Sequence, residues 1–312
     1  MFKDIITVTL SPCLDCTLWV DDFYYDDPIR VLDERTEAGG KGLNVSRVLN
    51  GLGVKNTAIC AVGEDNANVF EELALQSGVE VSPIYCKGKV RENITVIAPD
   101  QKLMKLNRTS NFDVDEVISG VRQRLCECIK ASDKPLVHFG GSLPKGMLKA
   151  HFTELMTYTK ALGALLSVDS SVLTIDDYAS LSPFLIKPNI RELSKASCKE
   201  LNCCESDILE AVKPLVGKVD NILVSMGDKG IMRVDELGCT HINAPVICTR
   251  TTVGAGDSAI AGYLYGLQQG DAPNQTLKLA AACGACACEL DTAGGITLQK
   301  IKTMLERLER QD

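Results

Sequence analysis

The chain has 312 residues, 45% of them hydrophobic and 24% charged, the balance of an ordinary folded protein. A formal net charge of −8 excludes a broad electrostatic footprint for nucleic acid or an anionic membrane, so any basic site must be local. No apolar run reaches the length of a membrane span, and Ile5 to Leu10 is too short for a signal peptide, which makes a cytosolic protein the expectation.

In chain order, Ile5 to Leu10 is a β-branched run broken at Ser11-Pro12, a strand and its stop. Thr17 to Tyr25 and Val31 to Glu37 alternate polar with apolar positions and predict strands exposed on one face. Gly39-Gly40-Lys41-Gly42 opens a helix over Leu43 to Leu52, ended by Gly53. Thr57 to Val62 is the next strand and Asn66 to Ser77 the next helix. Asn93 to Ala98 and Lys102 to Asn107 form a hairpin around Pro99-Asp100. Beyond residue 112 the pattern turns regular: helix 114–130, strand 136–139, helix 149–162, strands 165–169 and 184–187, a helix, and strand 221–225.

Strands alternating with helices imply parallel β-α-β units in a sheet covered on both faces. The ligand crevice of such a sheet lies beyond the carboxyl ends of its strands, where loops 11–15, 140–146, 187–192 and 225–230 fall. The strands within about 12–37 and 91–108 break the rhythm and are expected to form a small β lid inserted in one 1–312 α/β core.

Fourteen cysteines suggest a disulfide framework or a metal centre, but nothing in the sequence exports the chain. Cys283, Cys286 and Cys288 sit in an alanine-rich helical run, do not share one helical face, and lack a second pair at zinc spacing. They read as small buried apolar residues, as do Cys126, Cys128, Cys203 and Cys204. Cys13 and Cys16 have the spacing of a redox pair, yet Asp15 between them has the better claim to chemistry. His138, His151 and His241 are scattered over unrelated elements and form no base system.

Two glycine-rich helix starts carry the chemistry. In Thr252-Val253-Gly254-Ala255-Gly256-Asp257, small residues leave backbone N–H groups bare where the helix dipole attracts anions. The amides of Gly254, Ala255, Gly256 and Asp257 can form an anion hole. The Asp257 carboxylate cannot bind an anion and is placed to take a proton from whatever attacks it. Gly39 and Gly40 allow close backbone approach, and Lys41 adds a point charge suited to a phosphate or a hydroxylated ligand; the segment is neither a Walker A loop nor a dinucleotide fingerprint.

Together, Ala38-Gly39-Gly40-Lys41-Gly42-Leu43-Asn44-Val45-Ser46-Arg47 and Thr252 to Asp257 resemble the two signatures of the ribokinase/PfkB carbohydrate kinases, and intermediate motifs follow in the family's order over the whole chain. The resemblance implies a ribokinase-like three-layer α/β/α sandwich with a mostly parallel central sheet and a β-sheet lid. It implies ATP and Mg²⁺ as cofactors and a sugar hydroxyl as phosphoryl acceptor. Asp257 is then the general base, Asp15 in Ser11-Pro12-Cys13-Leu14-Asp15 and Asn44 bind the sugar, and Ser142 belongs to a substrate-side loop. Ser11 stands where the phosphosugar branch usually carries Asn. Lys187-Pro188-Asn189-x-x-Glu192 resembles the nucleotide-side motif, in which Lys187 and Asn189 face the ATP phosphates and Glu192 holds Mg²⁺. Ser225, Gly227 and Gly230 match a turn that touches the nucleotide, with adenine between the helix after Asp257 and loop 291–295.

Arg30, Lys41 and Arg91 lie at the spacing of the phosphosugar branch and are expected to converge on a phosphate already present on the sugar. A ribose or nucleoside kinase leaves these three unexplained. A non-catalytic sugar phosphate sensor on the same scaffold predicts loss of the base, the anion hole or Glu192, and none is lost. The expected partners are a small phosphosugar and ATP, and a homodimer joined through the exposed edges of the lid.

Overall fold

The computed structural model describes residues 2–24, 26–99, 102–290 and 295–310. Its main sheet has nine strands: β1 (Asp4–Thr9), β4 (Asn56–Gly63), β5 (Val81–Cys86), β8 (Pro135–Gly140), β9 (Leu165–Asp169), β10 (Leu185–Ile186), β11 (Asn221–Ser225), β12 (Ile231–Asp235) and β13 (Gly238–Ile242). They lie in the order β13-β12-β11-β10-β9-β8-β1-β4-β5, parallel from β5 to β11, with β12 and β13 added antiparallel. Successive residues of the central strands point to opposite faces, and both faces are apolar. Ile6, Val137 and Phe139 join one core, while Ile5, Leu136 and Leu223 join the other.

Helices α2 (Ala67–Gln76), α3 (Val114–Ala131), α4 (Lys149–Ala161), α5 (Ile175–Leu181), α6 (Ile190–Ser197) and α7 (Glu205–Val212) cover the first face. The second is covered by α1 (Lys41–Gly51), α8 (Ala255–Gln269), α9 (Pro273–Glu289) and α10 (Leu298–Glu309). Each helix forms where its apolar spacing meets a sheet: Val117, Val121, Leu125 and Ile129 make one buried stripe along α3, with Asp113 accepting from the amides of Asp115 and Glu116 as its cap. Where α8 crosses α9, a Cβ on Gly262 would stand 2.6 Å from Cys283 Sγ and 2.7 Å from the Leu279 carbonyl, so only glycine lets the two backbones approach this closely.

A second sheet, β2 (Cys13–Val20), β3 (Val31–Gly39), β6 (Arg91–Ile97) and β7 (Leu103–Asn107), takes the order β3-β2-β6-β7. Its strands come from within segments 12–39 and 91–107. Its first strand begins at Cys13 rather than Thr17, because Cys13 to Leu18 pair in parallel with Arg91 to Val96. The turn between β6 and β7 includes Asp100, outside the described residues. Strands β5 and β12 were not anticipated: Pro83 interrupts the first, and the second joins the sheet only through antiparallel partners.

All fourteen cysteines are free. Cys283 and Cys286 are buried in α9 as expected, whereas Cys126, Cys128, Cys203 and Cys204 are only half-buried at the surface. Cys13 and Cys16 stand three apart on one strand and so project from opposite faces.

Candidate active site

The carboxyl ends of β1, β8, β9, β10 and β11 converge on the start of α8. Gly254 takes φ 77° as its N-cap, a left-handed conformation that glycine adopts without strain, and no side chain caps the helix. The first amides, those of Ala255, Gly256 and Asp257, therefore have no side chain to satisfy them. A Cβ at Gly256 would stand 2.9 Å from Lys187 Nζ, so glycine here leaves room for an ammonium beside the helix start.

Asp257, in the first turn, is 6% exposed. Burial, reinforced by the Asp169 carboxylate, pushes its pKa up to about 6 against the opposing pull of Lys41, Asn44 and Lys187. A carboxylate at that value is a far better base than an ordinary aspartate while remaining ionised at neutral pH.

Asp169, which the sequence reading left as the end of a strand, proves to be the hub. It is 2% exposed, accepts from Lys41 Nζ at 3.0 Å and lies 3.8 Å from Lys187 Nζ. Burial works to raise its pKa, but the two ammonium groups outweigh burial and hold it ionised. Its Oδ2 has no hydrogen-bond partner, an unusual state for a buried carboxylate. Lys41 also reaches Glu192 Oε1 at 3.3 Å. Burial acts to lower the Lys41 pKa, yet Asp169 and Glu192 raise it further and keep the ammonium charged. Lys41 is thus engaged on the Asp169 side of the crevice and not beside Arg91. The expected convergence of Arg30, Lys41 and Arg91 is absent from this arrangement, because one buried and one partly buried carboxylate attract the ammonium more strongly than open solvent does.

Glu192 and Asn189 form a reciprocal capping box at the start of α6: Asn189 Oδ1 accepts from the Glu192 amide and Glu192 Oε2 accepts from the Asn189 amide, both at 2.9 Å. The box leaves Oε1 of Glu192 to Lys41. Ser225 is tied to this segment by its amide, which donates to the Pro188 carbonyl at 3.1 Å. Gly230 is required by packing, since a Cβ there would lie 2.0 Å from the Ile242 carbonyl, whereas Gly227 faces open space at φ 65°. Loop residues 291–294, expected beside adenine, lie outside the described residues.

On the side of the small sheet, Asp15 on β2 accepts from Asn93 Nδ2 at 2.9 Å and from the Cys13 thiol at 3.3 Å, both through Oδ1. Its Oδ2 rests on Gly39, where a Cβ would stand only 2.0 Å away. Arg91, opposite Cys13 in register, donates to the Arg108 carbonyl at 2.7 Å, to the Ser11 carbonyl at 3.4 Å, and weakly to Ser142 Oγ at 3.5 Å. The structure thereby brings Asp15, Gly39, Arg91 and Ser142 together. Gly40, at φ 138°, links this group to Lys41, and Asn44 lies one turn along α1, its Nδ2 donating to Asp257 Oδ2 at 2.8 Å. Arg30 is exposed, just before β3.

His138 is fully buried on β8, 2.9 Å from Ser167 Oγ, and burial pulls its pKa down to about 4, so it stays neutral and structural. Among the described residues, no cluster of three or more His, Cys, Asp or Glu side chains is placed to hold a metal. No helix among the described residues is long and apolar enough to cross a membrane.

A buried carboxylate in the first turn of a helix, uncapped amides around it and a paired cluster of lysines and acids beside it make this end of the sheet the candidate site. Residues 7–298 match the pfkB family carbohydrate kinases, and the chain belongs to that family. It is 29% identical to the 1-phosphofructokinase of Vibrio cholerae, over 99% of this chain and 97% of that protein. It is likewise 29% identical to the tagatose-6-phosphate kinase of Staphylococcus epidermidis, over 98% of each. Phosphofructokinase-2 of Escherichia coli, solved in complex with potassium, superposes with a TM-score of 0.87 at 25% identity, covering 99% of this chain and 100% of that one. The fold is ribokinase-like, and the protein is a kinase that transfers a phosphoryl group to a sugar hydroxyl.

Proposed function

We propose that the protein is an ATP-dependent phosphosugar kinase acting as a 1-phosphofructokinase, converting fructose 1-phosphate and ATP to fructose 1,6-bisphosphate and ADP. The observation that carries this reading is the grouping of Arg91 and Asp15 on the small sheet with Ser142 from the loop after β8. A guanidinium there suits a phosphate already on the sugar, and a half-satisfied carboxylate suits its hydroxyls. The free hydroxyl at the other end of the sugar then meets Asp257.

In this mechanism Asp257 takes the proton of the attacking hydroxyl, and the amides of Gly254 to Asp257 receive the transferring phosphoryl group. Lys187 and Lys41 stand beside it to stabilise the charge that develops there. The small sheet acts as a lid that excludes water from the bound sugar. Asp169, whose Oδ2 accepts no hydrogen bond though it is ion-paired with Lys187, and Glu192, once Lys41 releases its Oε1, would hold a magnesium ion, which takes one or two protein carboxylates. When bound, that ion neutralises phosphate charge.

The tagatose-6-phosphate kinase similarity is equally strong by identity, so substrate choice is the point to test. ADP release measured across fructose 1-phosphate, fructose 6-phosphate and tagatose 6-phosphate should give fructose 1-phosphate the highest kcat/KM. A clear preference for either other sugar would replace the assignment. Asp257→Asn should bind sugar phosphate normally, seen by calorimetry, and lose about a thousandfold or more in kcat. Normal turnover in that variant would remove Asp257 from the role of base.

The lid carries Ile29, Val31, Leu32, Leu103, Met104 and Leu106 exposed on or beside its two edge strands. A second copy of this chain covering that surface is the arrangement we infer in solution.

A further inference from the structure

Arg47 lies on α1 one turn beyond Asn44 and is buried, and the mechanism above does not use it. Its Nη1 donates to Asn44 Oδ1 at 2.8 Å, and Asn44 Nδ2 donates in turn to Asp257 Oδ2. Its Nη2 donates to the carbonyl of Ala38, near the end of β3. The orientation of the carboxamide in this chain is set from both sides. A guanidinium only donates and an ionised carboxylate only accepts, so Asn44 must turn its oxygen to Arg47 and its nitrogen to Asp257. Without Arg47 the amide is free to turn over and set its oxygen against the carboxylate.

We propose that Arg47 is a positioning residue for the catalytic base: through Asn44 it fixes Asp257 Oδ2, leaving Oδ1 to take the proton, and through Ala38 it ties that orientation to β3, an edge strand of the small sheet. The proposal rests on the kinase reading in taking Asp257 as the base. Burial pulls the Arg47 pKa below the usual value, with Glu37, Asp15 and Asp257 opposing, and its Nε has no partner. Replacing a buried charge by an apolar side chain of similar volume is often neutral or stabilising, so stability alone does not account for a guanidinium buried against Asn44 and Ala38.

The test is the pH profile of kcat at saturating sugar phosphate and ATP for wild type, Arg47→Lys and Arg47→Met, with thermal melting to confirm folding. Besides Arg47, the groups facing Asp257 are Asp169 from β9, Lys41 and Asn44 from α1, and Lys187 from the loop after β10. Arg47→Lys keeps the positive charge, and so the field at Asp257, but an ammonium cannot span both Asn44 and Ala38. It should lower plateau kcat about tenfold, leave both KM values within about threefold, and move the acid limb to higher pH, because the lost N–H donation favoured the ionised carboxylate. Arg47→Met, which also removes the field, should move the limb further. In an Asn44→Ala background Arg47→Lys should have no further effect, since the link it acts through is gone. A wild-type limb and wild-type kcat in Arg47→Lys would overturn the proposal, as would a full additional loss on top of Asn44→Ala. If Arg47→Met does not fold, Arg47→Lys and the cycle with Asn44 decide alone. Wild type that turns over no sugar phosphate is a separate result; it removes the kinase reading and the proposal with it.

Discussion

On the floor of the crevice, Asp169, Lys187 and Asp257 are buried at the ends of strands and the start of a helix, each within the field of the others. On the small sheet opposite, Asp15 and Arg91 are half-exposed and held by an amide, a thiol and backbone carbonyls, and Arg108 pairs with Glu92 in solvent. The same charges are therefore worth different amounts on the two sides. In the low dielectric of the floor, a displaced ammonium or carboxylate costs several kilocalories, and so its position is fixed. On the lid, screening by solvent leaves the charges free to adapt. On the function proposed above, phosphoryl transfer falls to the first surface and recognition of the sugar to the second.

The division can be broken by substitutions that act on one side at a time. The largest effect expected after Asp257→Asn is that of Lys187→Met, which should cut kcat about a hundredfold with sugar phosphate binding nearly unchanged; loss of binding instead would move Lys187 to the recognition side. Gly39→Ala should do the reverse. Its Cβ falls 2.0 Å from Asp15 Oδ2, so the carboxylate must move, raising KM for the sugar about thirtyfold with kcat within about threefold. A fall in kcat alone would show that Asp15 belongs to the chemistry.

Acidity sharpens the comparison further. Asp257 must be ionised to act, so kcat should fall about tenfold per pH unit below about pH 6. The same raised value means that the folded protein holds this proton more tightly than the unfolded chain does. Its stabilising contribution is present in acid and is lost as pH rises through about 6, so Asp257→Asn should melt no lower than wild type at pH 8. A profile flat down to pH 5 would show that the base is not held as described. The smallest effect is that of Leu106→Lys in the lid, which should leave the monomer folded and shift the sedimenting species from dimer to monomer. Wild type sedimenting as monomer at assay concentration would remove the lid interface.

The order of most strands and helices was legible because parallel β-α-β units repeat their apolar spacing, and the glycine-rich segments at Gly39 and Gly254 do open helices. Asp169 was not legible, since an aspartate closing a strand looks the same whether it caps a turn or anchors two lysines. Only the neighbouring positions of β9 and β10 in the sheet bring Lys187 to it. Lys41 was read toward the sugar because sequence places it beside Gly39 and Gly40. The structure sends its long side chain the other way, to carboxylates 128 and 151 residues distant in the chain. Arg47 stood inside a recognised motif and still passed unremarked, because its partners, a side chain one turn away and a carbonyl on another sheet, exist only once α1 is laid on the sheet.

The crossing of α8 on α9 has a consequence for how this protein tolerates change. Gly262 lies midway along α8, five residues beyond Asp257, and packs on Cys283 and Leu279 rather than on any group proposed to act on substrate. A single methyl added there must push against Cys283 and the Leu279 backbone, and a helix moves as a rod. The displacement is delivered at the start of the helix as well, where Gly254 and Asp257 sit. The helix is a lever with its fulcrum in the core, so drift in a residue chosen only for its smallness would be read out as lost turnover in a protein that still folds.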